Sequence, residues 1–90
     1  MKATNVVEAL VWSKMEEILS HQPNMCKCEK CRLDIVTYAL NRLDPIYVSS
    51  HKGELYARAQ YLDRDFNTAL IVILTEAIAI VSENPKHDKE

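Results

Sequence analysis

Residues 63–83 read DRDFNTALIVILTEAIAIVSE and form the longest apolar stretch of this 90-residue chain. The apolar positions recur every three to four residues, which predicts a helix that starts at an Asp63 N-cap and ends near Glu83. The predicted core stripe consists of Phe66, Leu70, Ile73, Leu74, Ala77, Ile78 and Val81. Thr75 and Glu76 interrupt the stretch well short of the ~20 apolar residues of a membrane span, so we expect a buried helix and no membrane.

This predicted helix carries more apolar residues than one small core needs. Ile71, Val72 and Ile80 widen the stripe beyond a single face. The excess predicts a homodimer interface on this helix. The alternative is that neighbouring helices cover it on most sides.

The rest of the chain predicts an all-α single domain over residues 1–90, with about four helices. Asn5 opens an apolar helical pattern that stops before Pro23, and a second helix runs from a cysteine motif to about Arg42. Residues 46–62 begin with a short extended stretch. The part from Glu54 onward suits a helix better than a hairpin, with three residues facing inward: Leu55, Ala59 and Leu62. Residues 84–90 are predicted to be a polar tail.

Composition restricts the class of protein. The formal net charge of −2 gives no general attraction for phosphate backbones, so nucleic-acid binding is disfavoured. The start of the chain lacks the pattern of a signal peptide, which predicts a cytoplasmic protein. Neither a glycine-rich phosphate loop nor a nucleophile motif is present, and the sequence therefore favours a protein that is not an enzyme.

The strongest local signal is the motif CKCEKC at residues 26–31. Its thiolates Cys26, Cys28 and Cys31 can converge on one ion, and in a reducing compartment clustered thiols favour a metal over disulfides. Zinc suits such ligands best. An iron–sulfur cluster usually needs four cysteines, and a redox thiol pair lacks its expected βαβ context. We therefore predict a structural zinc site between helices one and two.

A four-coordinate zinc ion needs a fourth ligand. His21 at the end of helix one is the first choice, although it could equally cap that helix. The alternatives are a water molecule, a group from another subunit, or one of three side chains: Glu29, Asp34 and His51. His51 and His87 are expected to be exposed.

A second candidate site lies where helix two meets the following loop. Arg42 can bind a phosphate in a fork and Tyr47 can stack on a base, while Asn41 and Ser49 add polar groups. Composition alone favours a simpler interpretation, because arginine is common in last turns and Asp-Pro commonly ends a helix.

The sequence resembles the late competence protein ComFB family over nearly its whole length. The resemblance is carried by the cysteine motif followed by RLDI (32–35), and by ALNRL (39–43), PIY (45–47), KGELYA (52–57) and ENP (83–85). It implies a small helical, homodimeric, non-enzymatic protein linked to natural competence, with zinc on the cysteines in some members.

The resemblance also suggests a ligand. Some relatives bind cyclic dinucleotides such as cyclic di-AMP or cyclic di-GMP, and the matching positions here are Asn41, Arg42, Pro45 and Tyr47. Asp44 stands where many relatives have a proline, and its carboxylate would oppose a dianionic ligand if it pointed inward. The expected function is a regulatory protein of competence that senses such a nucleotide. The alternative is a zinc-stabilised module that binds another competence or signalling protein.

Overall fold

The computed structural model describes residues 3–60 and 64–83, apart from the side chain of Gln60. Within these ranges the elements are β1 (Thr4–Asn5), α1 (Val6–Leu19), α2 (Glu29–Leu40), β2 (Tyr47–Val48), α3 (His51–Gln60) and α4 (Arg64–Glu83). The predicted helical architecture is confirmed. The fold is not purely all-α, because β1 and β2 pair as a small antiparallel sheet with Thr4 opposite Val48.

Asn5 fixes both the start of α1 and the position of β2. Its side-chain Oδ1 accepts a hydrogen bond from the backbone N–H of Val7 at 3.1 Å, which caps the helix as predicted. The same oxygen accepts from the N–H of Ile46 at 3.0 Å, and the N–H of Val6 donates to the Ile46 carbonyl at 2.8 Å. The extended stretch predicted at residues 46–48 is therefore held against the beginning of α1.

The core lies where α4 packs against α2 and α1. The stripe predicted on α4 is confirmed: Leu70, Leu74, Ala77, Ile78 and Val81 are buried, while Phe66 and Ile73 are partly buried against the same cluster. From the other two helices the core takes Val7, Val11, Met15, Leu19, Cys31, Ile35, Val36 and Ala39.

Residues 51–60 form a helix rather than a hairpin, and α3 starts earlier than predicted. Ser50 provides the start, because its Oγ accepts from the N–H of Gly53 and its carbonyl accepts from the N–H of Glu54, both at 3.0 Å. The inward position predicted for Leu55 is wrong, since that side chain is 56% exposed and Ala57 is buried instead. Ala59 is exposed as well.

α3 packs on β2 and α1 rather than beside α4. Its apolar residues therefore do not face the main core. Three predictions lie outside the described residues: the Asp63 N-cap, the position of Leu62 and the polar tail over residues 84–90.

By length and composition alone, α4 could cross a membrane. This is a weak indication, because the core helix of a soluble protein passes the same test. Leu74 and Ala77 are fully buried against the other helices. In this fold α4 buries one side against the other helices of the core.

Candidate metal centre

The segment that follows α1 carries the cysteines into the start of α2. After Leu19 the chain turns, and the N–H of Gln22 donates to the Leu19 carbonyl at 3.0 Å. Cys26 and Cys28 lie in the segment that precedes α2, and Cys28 is the N-cap of that helix. Cys31 lies inside the first turn of α2, so the predicted zinc loop is not wholly a loop. Helix two begins within the motif, as predicted.

The three cysteines form a tight cluster. Their sulfur atoms all lie within 4.8 Å of one another. Cys26 is exposed, Cys28 is half-buried, and Cys31 is only 2% exposed because it belongs to the hydrophobic core. The cluster thus reaches from the surface to the packed interior at the junction of α1 and α2.

The start of α2 favours negative charge on the Cys28 sulfur, whereas burial disfavours it on Cys31. The N–H of Cys31 donates to the Cys28 sulfur at 3.5 Å, and this hydrogen bond is the main reason that the pKa of Cys28 is lowered. Burial raises the pKa of Cys31 to about 12, and its neighbours Cys28 and Cys26 add to that rise. Since metal ligation requires thiolates, binding of a cation would displace the proton of Cys31 to solvent.

The arrangement fits a tetrahedral thiolate site. Sulfurs bound at about 2.3 Å to one zinc ion lie about 3.8 Å apart, so sulfurs within 4.8 Å of one another need to move only slightly. Soft thiolate ligands suit zinc, and the Cys31 N–H at the start of α2 already donates to one of the sulfurs. The cysteines can therefore hold a metal ion.

Among the described residues, no histidine or carboxylate joins this cluster. His21 is exposed, and its backbone N–H donates to the Ile18 carbonyl at 3.0 Å at the end of α1. Asp34 Oδ1 pairs with Lys30 Nζ at 2.8 Å, and His51 Nδ1 lies 4.0 Å from Glu54 Oε2 in α3. The structure thus brings together the three predicted cysteine ligands and leaves His21 outside their group.

Two basic residues around the motif are engaged with acidic partners. Lys30 pairs with Asp34 along α2, and Arg32 pairs with Glu16 of α1 at 3.1 Å. The second ion pair links α1 to α2 next to the cysteines. Sequence reasoning missed Glu16, although its place on the face of α1 beside the cysteine motif was a usable signal.

The residues of the second predicted site are less closely grouped than the three cysteines of the first. Arg42 lies with its guanidinium 3.5 Å from the centre of the Tyr38 ring and donates to the Tyr38 carbonyl at 3.1 Å. The Tyr38 hydroxyl donates to Glu76 of α4 at 2.7 Å. The contact between Tyr38 and Arg42 could have been predicted from their spacing of four residues. The contact between Tyr38 and Glu76 on α4 could not be predicted from that spacing.

The remaining residues of that site lie on other surfaces. Asn41 caps the end of α2 and is exposed, as are Pro45 and Ser49. Tyr47 is 63% exposed and lines a shallow groove of about 360 Å³ with β1 and the first turn of α1. The structure therefore places Arg42 against α2 and Tyr47 against β1, with different neighbours.

The fold and the cluster together define a small helical domain with a candidate metal site where two of its core helices meet. The family model described as "Late competence development protein ComFB" matches residues 4–85. This chain belongs to the ComFB family of late competence proteins.

A sequence and a solved structure, both of ComFB from Bacillus subtilis, support the assignment. The chain is 33% identical to the competence protein ComFB of Bacillus subtilis (strain 168) over 81 residues, which cover 90% of this chain and 83% of that protein. A solved structure of the late competence protein ComFB from Bacillus subtilis matches with a TM-score of 0.80 and 34% identity. That match covers 96% of this chain and 94% of the other.

Proposed function

We propose that this chain is a non-enzymatic, cytoplasmic regulatory protein of natural competence, built as a homodimer with one structural zinc ion per subunit. The observation that carries the proposal is the cluster of Cys26, Cys28 and Cys31, whose sulfurs lie within 4.8 Å of one another. Membership of a competence family supports the biological role.

The zinc ion would have a structural role. When bound, it supplies a rigid link between thiolates and no reaction of its own. Cys26 and Cys28 belong to the segment after α1, and Cys31 belongs to α2 and to the core. Holding all three on one ion would fix residues 26–28 against the first turn of α2. A 90-residue domain has a small core, so such a link contributes a useful part of its stability.

The homodimer is supported by one face of α4. Ile71, Val72 and Ile80 are large apolar residues that remain 39%, 54% and 45% exposed. Ala69 and Ala79 lie on the same side as Val72 and Ile80, and small residues there would let a second helix approach closely. We call this surface, consisting of Ala69, Val72, Ala79 and Ile80, the α4 face.

Metal analysis of the purified protein tests the zinc site. We expect one zinc ion per chain, no visible absorption, and a lower melting temperature after removal of the metal by a chelator. Ser20→Ala is a matched control, since Ser20 lies in the same inter-helix segment and its side chain makes one hydrogen bond, from its hydroxyl to the Glu17 carbonyl. A protein without zinc, or with the same melting temperature after chelation, would contradict a structural metal.

Two modes of action follow from the family. The first mode is an interaction module that binds another competence protein, and its support is that the Arg42 guanidinium is already engaged by Tyr38. The second mode is a receptor for a cyclic dinucleotide. Its support is the exposure of Tyr47, Pro45 and Ser49 beside the end of α2, where an aromatic ring and polar groups are open to a ligand.

Calorimetric titration with cyclic di-AMP and cyclic di-GMP decides between these modes. A receptor should release or take up heat with one of them, and Arg42→Ala should weaken the binding without changing the zinc content. Lys52→Ala is the matched control, because Lys52 is an exposed cation in the first turn of α3. Absence of heat at high ligand concentration rules out the receptor and leaves the interaction module.

A further inference from the structure

A methionine lies beside the cysteine cluster. One cavity of about 120 Å³ is lined by Asn24, Met25, Cys26, Cys31, Val81 and Ser82. The Ser82 hydroxyl donates to the Met25 sulfur at 3.8 Å, so the thioether is turned toward another residue of the same lining. Met25 is half-buried and packs against the hydrophobic core. A fourth sulfur atom therefore borders the candidate metal centre.

Sulfur dominates the donor atoms around this cavity. The three cysteine sulfurs lie within 4.8 Å of one another, and no histidine or carboxylate of the described residues belongs to their group. Zinc is bound in proteins by thiolates, imidazoles and carboxylates, and thioethers are not among its usual ligands. Cu(I) is a softer ion that is selected by thiolates and thioethers alike. The Met25 thioether therefore adds a donor for Cu(I) that zinc does not use.

We propose that the cluster also binds one Cu(I) ion, which displaces zinc and is held by the three cysteine thiolates and the thioether of Met25. The inference rests on the three-cysteine metal site of the proposed function and adds a second metal to it. Structural zinc sites are almost always four-coordinate, and the described residues bring three zinc ligands together. Cu(I) also accepts three sulfur ligands, so the thiolates already satisfy it and the thioether strengthens its binding.

The exposure of the cluster gives an incoming ion a way in. Cys26 is exposed and Cys28 is half-buried, whereas Cys31 belongs to the core. A Cu(I) ion carried by a small soluble thiol can therefore meet Cys26 first and pass from one thiolate to the next. This exchange moves the ion between sulfur ligands and leaves its oxidation state unchanged. The zinc ion leaves as the thiolates that held it are taken over by copper.

Anaerobic titration of the zinc-loaded full chain with Cu(I) tests the inference. Metal analysis after desalting should show one Cu(I) ion gained and one zinc ion lost per chain, and competition with bicinchoninate measures the affinity for Cu(I). Met25→Leu should weaken Cu(I) binding by about tenfold or more, because loss of a direct ligand costs at least as much as loss of an outer partner. Its zinc affinity should stay unchanged. Asn24→Ala is the matched control, since Asn24 lines the same cavity without a soft donor.

The outcomes separate this inference from the proposed function. A wild-type protein that keeps its zinc in the presence of Cu(I) overturns the inference and leaves the structural zinc site standing. Equal displacement in the wild type and Met25→Leu also overturns it, because the preference would then be that of any cluster of thiols. A wild-type protein that takes up no zinc contradicts both. Displacement of zinc in the wild type, with Cu(I) binding weakened in Met25→Leu and not in Asn24→Ala, supports the inference.

Discussion

Replacing Val72 by Asp tests whether the α4 face forms the dimer. Val72 is 54% exposed in the single chain. Full burial of a valine side chain contributes about 1.5–3 kcal/mol, so covering its exposed half contributes about 1 kcal/mol, or about 2 kcal/mol for the two copies of a symmetric dimer. Because 1.4 kcal/mol corresponds to tenfold in affinity, losing this contact weakens the dimer by about 30-fold. Two buried carboxylates without partners weaken it further.

Sedimentation velocity over a concentration series measures this change. The matched control is Ser13→Asp, which places the same carboxylate at an exposed position of α1. Helical content and zinc content should be equal in the wild type and both variants, which shows that each still folds. If Val72→Asp dissociates no more than Ser13→Asp, or if the wild type is monomeric throughout, the α4 face is not an interface between subunits.

Three further predictions follow from the sites described above. Cys28→Ala should lose the metal and melt at a lower temperature but remain dimeric; a monomeric variant with intact helices would place the cysteine segment in the interface. Asn5→Ala removes the cap of α1 and the acceptor for Ile46, so the free energy of unfolding in urea should fall by about 1–2 kcal/mol, with Asn5→Asp as control. Tyr38 donates to Glu76, which raises its pKa above 10, so this contact stabilises the fold below pH 10 and is lost as the pH rises through the raised pKa. A tyrosinate absorbance titration should show a late component that is absent in Tyr38→Phe.

Much of the fold could be predicted because the deciding signals are local. Asn5 is a good cap before an apolar pattern, so α1 starts as expected, and the stripe on residues 66–81 has helical spacing, so α4 faces the core as expected. The motif at residues 26–31 likewise indicated a metal cluster from spacing alone, because three thiols so close in sequence need only one turn to converge.

What could not be predicted depends on contacts between distant residues. Leu55 was expected to face inward, but α3 packs on β2 and α1, and nothing near residue 55 reveals that arrangement. The direction of Arg42 is set by Tyr38 and through it by Glu76, which is 38 residues away from Tyr38. His21 looked well placed because it is close in sequence to the cysteines, yet the turn after α1 leaves it outside their group.

The position of α4 in the core has a consequence for folding during synthesis. α1, the cysteines and α2 leave the ribosome well before α4 does. The side chains of Val11 and Ile35 therefore stay exposed until α4 has been made and covers them. A metal ion held by the three thiolates can fix residues 26–28 against the start of α2 during that interval. A fragment that ends before residue 64 should then bind zinc through its cysteines while its core stays incomplete.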